Sequence, residues 1–548
     1  MVDSLPVELI HHILSYFTAD EIFYTFMNVT SYIDAILLTY TCYRINFKSI
    51  SRTNFNLICQ HIIPNQVTTL TLSNDENTPG LGGLFLSRFQ IQQFSHLQSL
   101  TLIDIGPDLW ENIVTQLIHL KRLCSFSYIN LREAFWKSNL SGTAITQIDI
   151  DLFNSYAPVL SQFYRLRLCH GDFLESVQFP NLRHLILERS SINTIKHISS
   201  VAPQLKSLDT KIQCHNLSTE IIYPLLQLTR LTLVIDDFVC SINDIERMMS
   251  NLPRLKHLTL TTSCHNNVID GHRLQIKMQD LITFNFRFNL FSQLESEDLN
   301  SFRTSFWLEE KQWFVAYGYQ CLFSVPYFNT RFAKEYFQFP VYSTVPNTKI
   351  FSDCIDTLDL SETVYNVDHQ YMHVKTLTLC YPVILSSIER IVNLNGIQHF
   401  ILLSIVNNFP IIETLDKMPN LRQISLSVCV KYFLKEIRSK TLENIRILTI
   451  NPSYMDDNDY NIEKLSVVFP NIKHLYVKHI CVIAKMFSFL DQFKYLSTAS
   501  FQYMPLSSSD GTTRQHCLTI QSALDRIRRV QRFHYTYRLD YVSVYFWL

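Results

Sequence analysis

One short phrase, leucine-x-x-leucine-x-leucine with Ile, Val or Phe admitted at the leucine positions, returns along the whole chain. Strong copies begin at Val67, Leu97, Phe163, Leu182, Leu228 and Leu255, then at Ile355, Val374, Leu421, Ile445 and Ile472. Weaker copies lie near Phe126, Ile148, Leu208, Phe284 and Phe400. The central positions Leu166, Leu185, Leu208 and Leu231 are 19, 23 and 23 residues apart, and Phe400, Ile424 and Leu448 are 24 and 24 apart. A catalytic motif occurs once per active site, so a phrase recurring at this period is a structural unit. Stacked units of 20–29 residues form a solenoid.

The physics of one unit is legible in "FPNLRHLIL", Phe179 to Leu187, which returns as "FPNIKHLYV", Phe469 to Val477. Leu185 and Leu187 are two apart and share one face of a strand, while His184, Ile186 and Glu188 take the other. Between strands, Ser191 to Ala202 carries Ile192, Ile195 and Ile198 at helical spacing, and Pro203 marks where that helix has ended. The expected order is strand, helix, proline stop, parallel strand. This pattern resembles the leucine-rich repeat family in degenerate form. Where that family places a buried Asn or Cys, this chain has Asp75, Ser190, Ser263, Thr363 and Ser453, with Cys429 at the matching offset from Ile424. Small polar side chains there still reach free backbone groups.

The amino terminus reads "SLPVELIHHILSYFTADEIFYTFMNV" from Ser4 to Val29. Ser4 is expected to cap a helix with Pro6 in its first turn, and Leu9, Ile10, Ile13, Leu14 and Phe17 to form an apolar stripe. Asp20 is expected to open a second helix. This stretch resembles the F-box, which opens Leu-Pro-x-Glu-Leu and continues with Ile, Tyr, an Asp-hydrophobic pair and Val. Leu5, Pro6, Glu8, Leu9, Ile13, Tyr16, Phe17, Asp20, Ile22 and Val29 occupy the matching positions, and Tyr32 and Ile33 replace the family's basic residue and Trp. The bland reading is a helical cap on the first repeat, which any solenoid needs. The resemblance implies docking on the adaptor Skp1, and through it on a cullin, by Leu5, Pro6, Leu9, Ile13 and Phe17.

Composition narrows the function classes. Lys and Arg number 47 against 48 Asp and Glu, so no net field draws nucleic acid or an anionic membrane. Ten glycines in 548 residues leave no phosphate-binding loop, and "TPGLGG" (Thr78 to Gly83) reads as a surface loop. Thirteen cysteines without a C-x-x-C pair, such as Cys169, Cys380 and Cys429 in apolar runs, read as buried free thiols of a reducing compartment. With no signal-peptide core and no apolar span, a cytoplasmic or nuclear location is expected. "HNNVIDGH" (His265 to His272) reads as a loop with an Asp-Gly turn, and "MDDNDYNIE" (Met455 to Glu463) lacks the glycine and final carboxylate of a calcium loop. No nucleophile elbow is present either. The expectation is therefore a chain that is not an enzyme, with no cofactor and no metal.

The rhythm fails between Asn289 and Ile355. There "FWLEEKQWFVAYGYQCLFSVPYF" (Phe306 to Phe328) reads as an aromatic-rich hairpin turning near Gly318. It either packs on the solenoid or presents Trp and Tyr to a partner. The last residues, with Tyr535, Tyr537, Val544 and Phe546, read as a hairpin covering the final sheet edge. The expected fold is α/β: an F-box at 1–45, repeats at 46–289, an insertion at 290–354, repeats at 355–505 and a cap at 506–548. Strand alternation turns Arg165, Arg167, His184, Glu188, Arg230, His257, Tyr476 and Lys478 outward, with Thr376 and Thr378 among the threonines, onto a concave face suited to a protein or peptide target. Two functional classes follow. One is a target-selecting subunit of a Skp1-cullin-F-box ubiquitin ligase; the other is a repeat scaffold whose F-box has drifted.

Overall fold

The leucine positions of the phrase fall on strands that pair side by side. The computed structural model describes residues 4–130, 160–174, 177–213, 224–264, 270–318, 320–328, 331–334, 342–347, 349–360, 370–379, 385–403, 410–427, 430–437, 440–451, 461–480, 483–503, 535–540 and 543–548. These form a mixed α/β protein of two compact units. The first comprises Met1–Asp75, Leu81–Asn329 and Pro340–Pro346; the second comprises Glu76–Gly80, Thr330–Phe339 and Asn347–Leu548.

The first unit is built on a thirteen-stranded sheet. Ten strands run parallel in sequence order, from Tyr43–Asn46 and Val67–Ser73 to His257–Cys264 and Thr283–Leu290. Their register aligns the central leucines in one row: Leu100, Phe126, Leu166, Leu185, Leu208, Leu231, Leu258 and Phe284. Every member of that row is buried. At about 1.5–3 kcal/mol for each such side chain, the row is a continuous source of stability in which each repeat buries its neighbour's apolar face. The copy near Ile148 lies outside the described residues.

Helices pack behind the strands where the spacing predicts. Ile192–Val201 buries Ile195 and Ile198, and Ser191 accepts from Thr194 N as its cap. The prolines follow helix ends: Pro203 after Ile192–Val201, Pro253 after Ile242–Ser250, Pro419 after Ile411–Asp416 and Pro470 after Ile462–Val468. At the repeat's small polar position, Ser190 Oγ lies 2.7 Å from Thr210 Oγ1. Thr363, Cys429 and Ser453 lie outside the described residues.

The stretch read as one insertion, 290–354, divides: its strands Phe314–Gly318, Cys321–Val325 and Tyr342–Ser343 extend the first sheet, whereas Phe332–Lys334 pairs parallel with Thr357–Leu360 in the second unit. Cys321–Val325 pairs antiparallel with Thr283–Leu290, placing Leu322 opposite Phe288. Phe314–Gly318 pairs with Cys321–Val325, Gly318 facing Cys321, and Tyr342–Ser343 adds the edge. Phe302, Phe306, Trp307, Trp313 and Tyr317 are buried, whereas Phe291 and Tyr327 are exposed. Trp307 lies 4.9 Å from Phe302 and 5.8 Å from Trp313 between ring centroids, and its Nε1–H donates to Gly271 O at 3.1 Å.

Two local expectations are corrected. Asp270-Gly271 is no plain loop turn: Asp270 caps the helix Gly271–Met278, accepting from His272 N and Arg273 N. A Cβ on Gly271 would stand 2.5 Å from Ser301 O, so glycine is required there by a close backbone approach. Thr78 to Gly83 is no open loop either. The helix Leu81–Leu86 begins within it, Leu81 and Gly82 are buried, and Gly82 N donates to Asn74 Oδ1 at 2.7 Å.

The second unit repeats the design in a ten-stranded sheet. Leu358, Leu377, Phe400, Ile424, Leu448, Leu475 and Ala499 form its register row. The strand Ser543–Trp547 pairs antiparallel with Thr498–Tyr503, and Thr536–Asp540 lies outside it. Val544, Phe546 and Trp547 are buried against the core.

Candidate functional site

Two surfaces of the first unit carry most of the residues singled out from the sequence. The first is the amino-terminal helical group, Val7–Leu14, Ala19–Phe26 and Ser31–Thr39. Ser4 does not cap the first helix. Pro6 stands at the N-cap in extended backbone, and its carbonyl accepts from Leu9 N and Ile10 N. The second helix starts at Ala19, one residue before Asp20, because Thr18 takes the cap and its N–H donates to Glu21 Oε2 at 2.8 Å. Those bonds from Thr18 hold the Glu21 carboxyl below its usual pKa.

The stripe on the first helix divides. Ile10 and Leu14 are buried, whereas Leu9 is 50% exposed and Ile13 40%. Pro6 is exposed as well; Leu5 and Phe17 are half-buried, Phe17 lying 5.7 Å from Phe26 between ring centroids. Val7, Tyr16, Tyr24, Val29 and Leu38 are also exposed. Of these, Val7, Tyr24 and Leu38 escaped the sequence reading; Leu38 is betrayed only by a helical register that buries its neighbour Leu37. Tyr32 and Ile33 serve the fold: Ile33 is buried, and Tyr32 OH donates to Leu5 O at 2.9 Å.

The second surface is the sheet face opposite the buried leucines. Cross-strand register places Ser125, Arg165, His184, Ser207, Arg230, His257 and Thr283 in one row. Arg165 and Arg230 are exposed; His184 and His257 are half-buried, and His257 Nδ1 lies 3.0 Å from Thr283 Oγ1. Desolvation, then the charges of Arg165, Arg183, Arg230 and Lys206, lower the His184 pKa from its ordinary value. Further along the strands, Arg167, two residues beyond Arg165, and Glu188, four beyond His184, form an ion pair at 2.9 Å.

Tyr476 and Lys478 belong to the second unit. Lys478 is exposed; Tyr476 is half-buried and its hydroxyl donates to Asn77 Oδ1 at 3.0 Å, Asn77 being one of the five residues Glu76–Gly80 that cluster with that unit. Thr378, expected outward, is buried between Asp359 and Ile401 of the neighbouring strands. Among the described residues, no group of three or more His, Cys, Asp or Glu could hold a metal ion, and no helix is long and apolar enough to cross a membrane. His265 and most of Met455 to Glu463 lie outside them.

No protein-family model matches the chain, and no curated protein matches it. Among solved structures, a leucine-rich-repeat protein of Leptospira interrogans aligns over 77% of this chain and 91% of its own, at 15% identity and a TM-score of 0.23. So loose a superposition carries no argument; the repeat architecture rests on the strand pairing itself.

Proposed function

We propose that this chain is the target-selecting subunit of a Skp1-cullin-F-box ubiquitin ligase, its amino-terminal helices docking on the Skp1-type adaptor and its sheet faces holding the target protein. The observation that carries this reading is the divided stripe of the first helix. Leu9 and Ile13 stand in solvent beside the exposed Pro6, Val7 and Tyr16, while Ile10 and Leu14 of the same helix are buried. A helix that served only as a cap would turn its apolar stripe into the repeats and leave a polar outer face. In this reading the chain performs no chemistry of its own and works in the cytoplasm or nucleus.

Copurification with a Skp1-type adaptor tests it. Leu9→Asp with Ile13→Asp removes two apolar contacts worth about 1.5–3 kcal/mol each when buried. The adaptor should then be lost by a hundredfold or more in affinity, with the far-ultraviolet circular dichroism unchanged. Full retention of the adaptor by the double variant refutes the docking face. A wild-type chain that captures no adaptor leaves the repeat scaffold with a drifted F-box.

A further inference from the structure

The row through His184 is bordered by a second row at the leading end of the strands. Hydrogen bonds from Arg183 N to Tyr164 O and from Lys206 N to Arg183 O continue the ladder outward by one residue, bringing Tyr164, Arg183 and Lys206 together. The two rows gather Arg165, Arg183, Lys206 and Arg230 around one half-buried imidazole. The guanidinium of Arg183 lies over the Tyr164 ring at 5.2 Å, and that ring is 5.2 Å from His184. Among the described residues, none of these four cations has a carboxylate partner within ion-pair distance. Of the nearby acids, Glu188 pairs with Arg167 and Asp236 with Lys211, while Asp209, two residues beyond Ser207, has its carboxyl pushed up by desolvation against the opposing charge of Arg167. In a protein of nearly balanced charge, four cations on four adjacent strands thus have no carboxylate partner among the described residues.

We propose that Arg165, Arg183, His184, Lys206 and Arg230 form the recognition site for an extended anionic peptide segment, which lies across the strands with acidic side chains four residues apart. The inference deepens the target-binding role proposed above and rests on it. The spacing comes from the sheet. Arg165 and Arg230 stand in one register row three strand intervals apart, about 14 Å at about 4.8 Å per interval. An extended chain advances about 3.4 Å per residue, so groups four residues apart match that span. Each arginine offers a planar fork to a carboxylate or phosphoryl group. The tyrosine ring, with Arg183 over it, gives the intervening backbone a flat wall.

His184 supplies a signature that mere charge attraction lacks. In the free chain its proton is disfavoured by desolvation and by Arg165, Arg183, Arg230 and Lys206; Asp209 stands two residues beyond Ser207 on the next strand and Glu188 four beyond His184. An anion placed among these cations offsets their repulsion, so binding takes up a proton at His184. Affinity therefore rises as pH falls from about 7.5 to about 6, the side of neutrality on which imidazole titrates.

The test uses the full chain and fluorescence anisotropy. The probe is a labelled Ser/Gly decapeptide with two glutamates four residues apart. Beside it stand its glutamine version, a version with adjacent glutamates, one with phosphoserine at both acidic positions, and a single-stranded oligonucleotide of equal charge. The spaced acidic peptide should bind at least tenfold more tightly than the glutamine version and several-fold more tightly than the adjacent one. Arg165→Ala with Arg230→Ala should cost at least tenfold, and His184→Gln should abolish the pH dependence. Tighter binding of the phosphoserine peptide identifies the phosphoryl group as the anion of the same site. Equal binding of adjacent and spaced peptides, an unchanged affinity in the double arginine variant, or preference for the oligonucleotide overturns the proposal. The same double variant is offered the adaptor. Retention there with no peptide recognised overturns this site alone, whereas a wild-type chain that binds the peptide but not the adaptor overturns only the ligase reading.

Discussion

Trp307 separates two uses of the aromatic segment, and its replacement has a calculable cost. The side chain is fully buried, packed among Phe302, Phe306 and Trp313, and its Nε1–H donates to Gly271 O. Trp307→Ala removes a tryptophan that is wholly buried in that cluster and opens a cavity, a change costing about 3–5 kcal/mol. Trp307→Phe keeps most of the ring contact but removes the indole hydrogen bond to Gly271 O, at a cost of about 0.5–1.5 kcal/mol. Against a typical domain stability of about 5–15 kcal/mol, the alanine variant loses a large fraction of its margin. Because the chain holds two compact units, a single melting curve mixes them. Native-state hydrogen exchange resolves the effect. Peptides covering Gly271–Met278 and Phe314–Gly318 should lose protection in the order Ala, Phe, wild type, while Gln423–Leu426 of the second unit serves as the internal reference. Less than about 1 kcal/mol lost in the alanine variant would refute the assignment of these aromatics to the core and return them to partner recognition.

Two further outcomes are expected. Gly271→Ala, which drives a Cβ into the Ser301 backbone, should destabilise the same unit by about 1–3 kcal/mol, read by exchange at Gly271–Met278; a neutral effect would show that the approach is not tight. His399 is held to a pKa of about 4 by burial, its Nε2 lying 2.8 Å from Ser425 Oγ. The unfolded chain therefore binds a proton near pH 6.5 that the folded chain refuses until about 4, so the stability is fully present above about 6.5 and is lost as pH falls toward 4. The loss is on the order of 2–3 kcal/mol after discounting for partial exposure, and His399→Gln should flatten the urea-midpoint profile between those limits; an unchanged profile refutes it.

The strands were legible because their period is short and their core residues are apolar. Leu185 and Leu187 must share a face once the backbone is extended, and no tertiary information is needed to say so. Strand Thr283–Leu290 was visible only as a weak copy, because Phe replaces Leu along its buried face. Gly271 was misread for a different reason. Asp-Gly has the composition of a turn, but its role is set by the Ser301 backbone thirty residues away, and only the packed chain shows that a Cβ cannot fit. The exposed half of the first helix was marked only by the F-box resemblance, since a helical stripe names the residues that share a face and not the fraction the rest of the chain covers.

The charge pattern shows what register adds to sequence. "NLRHL", "PQLKSL", "PRLKHL", "NIKHL" and "PNLRQI" each place Lys or Arg one residue before the strand. Read singly, these are solvated side chains at turns, and some are just that: Lys256 Nζ donates to Asp280 O. Pairing aligns them. Lys473 N donates to Arg446 O and Arg446 N to Arg422 O in the second unit, as Lys206 N does to Arg183 O in the first. The residue that ends one repeat's turn becomes the lateral neighbour of its counterpart about 4.8 Å away, so a balanced composition is sorted into rows of one sign. A repeat thus amplifies whatever its variable positions carry. In the first unit that amplification converges on His184, where Arg165 and Arg230 flank the row and no carboxylate among the described residues answers them.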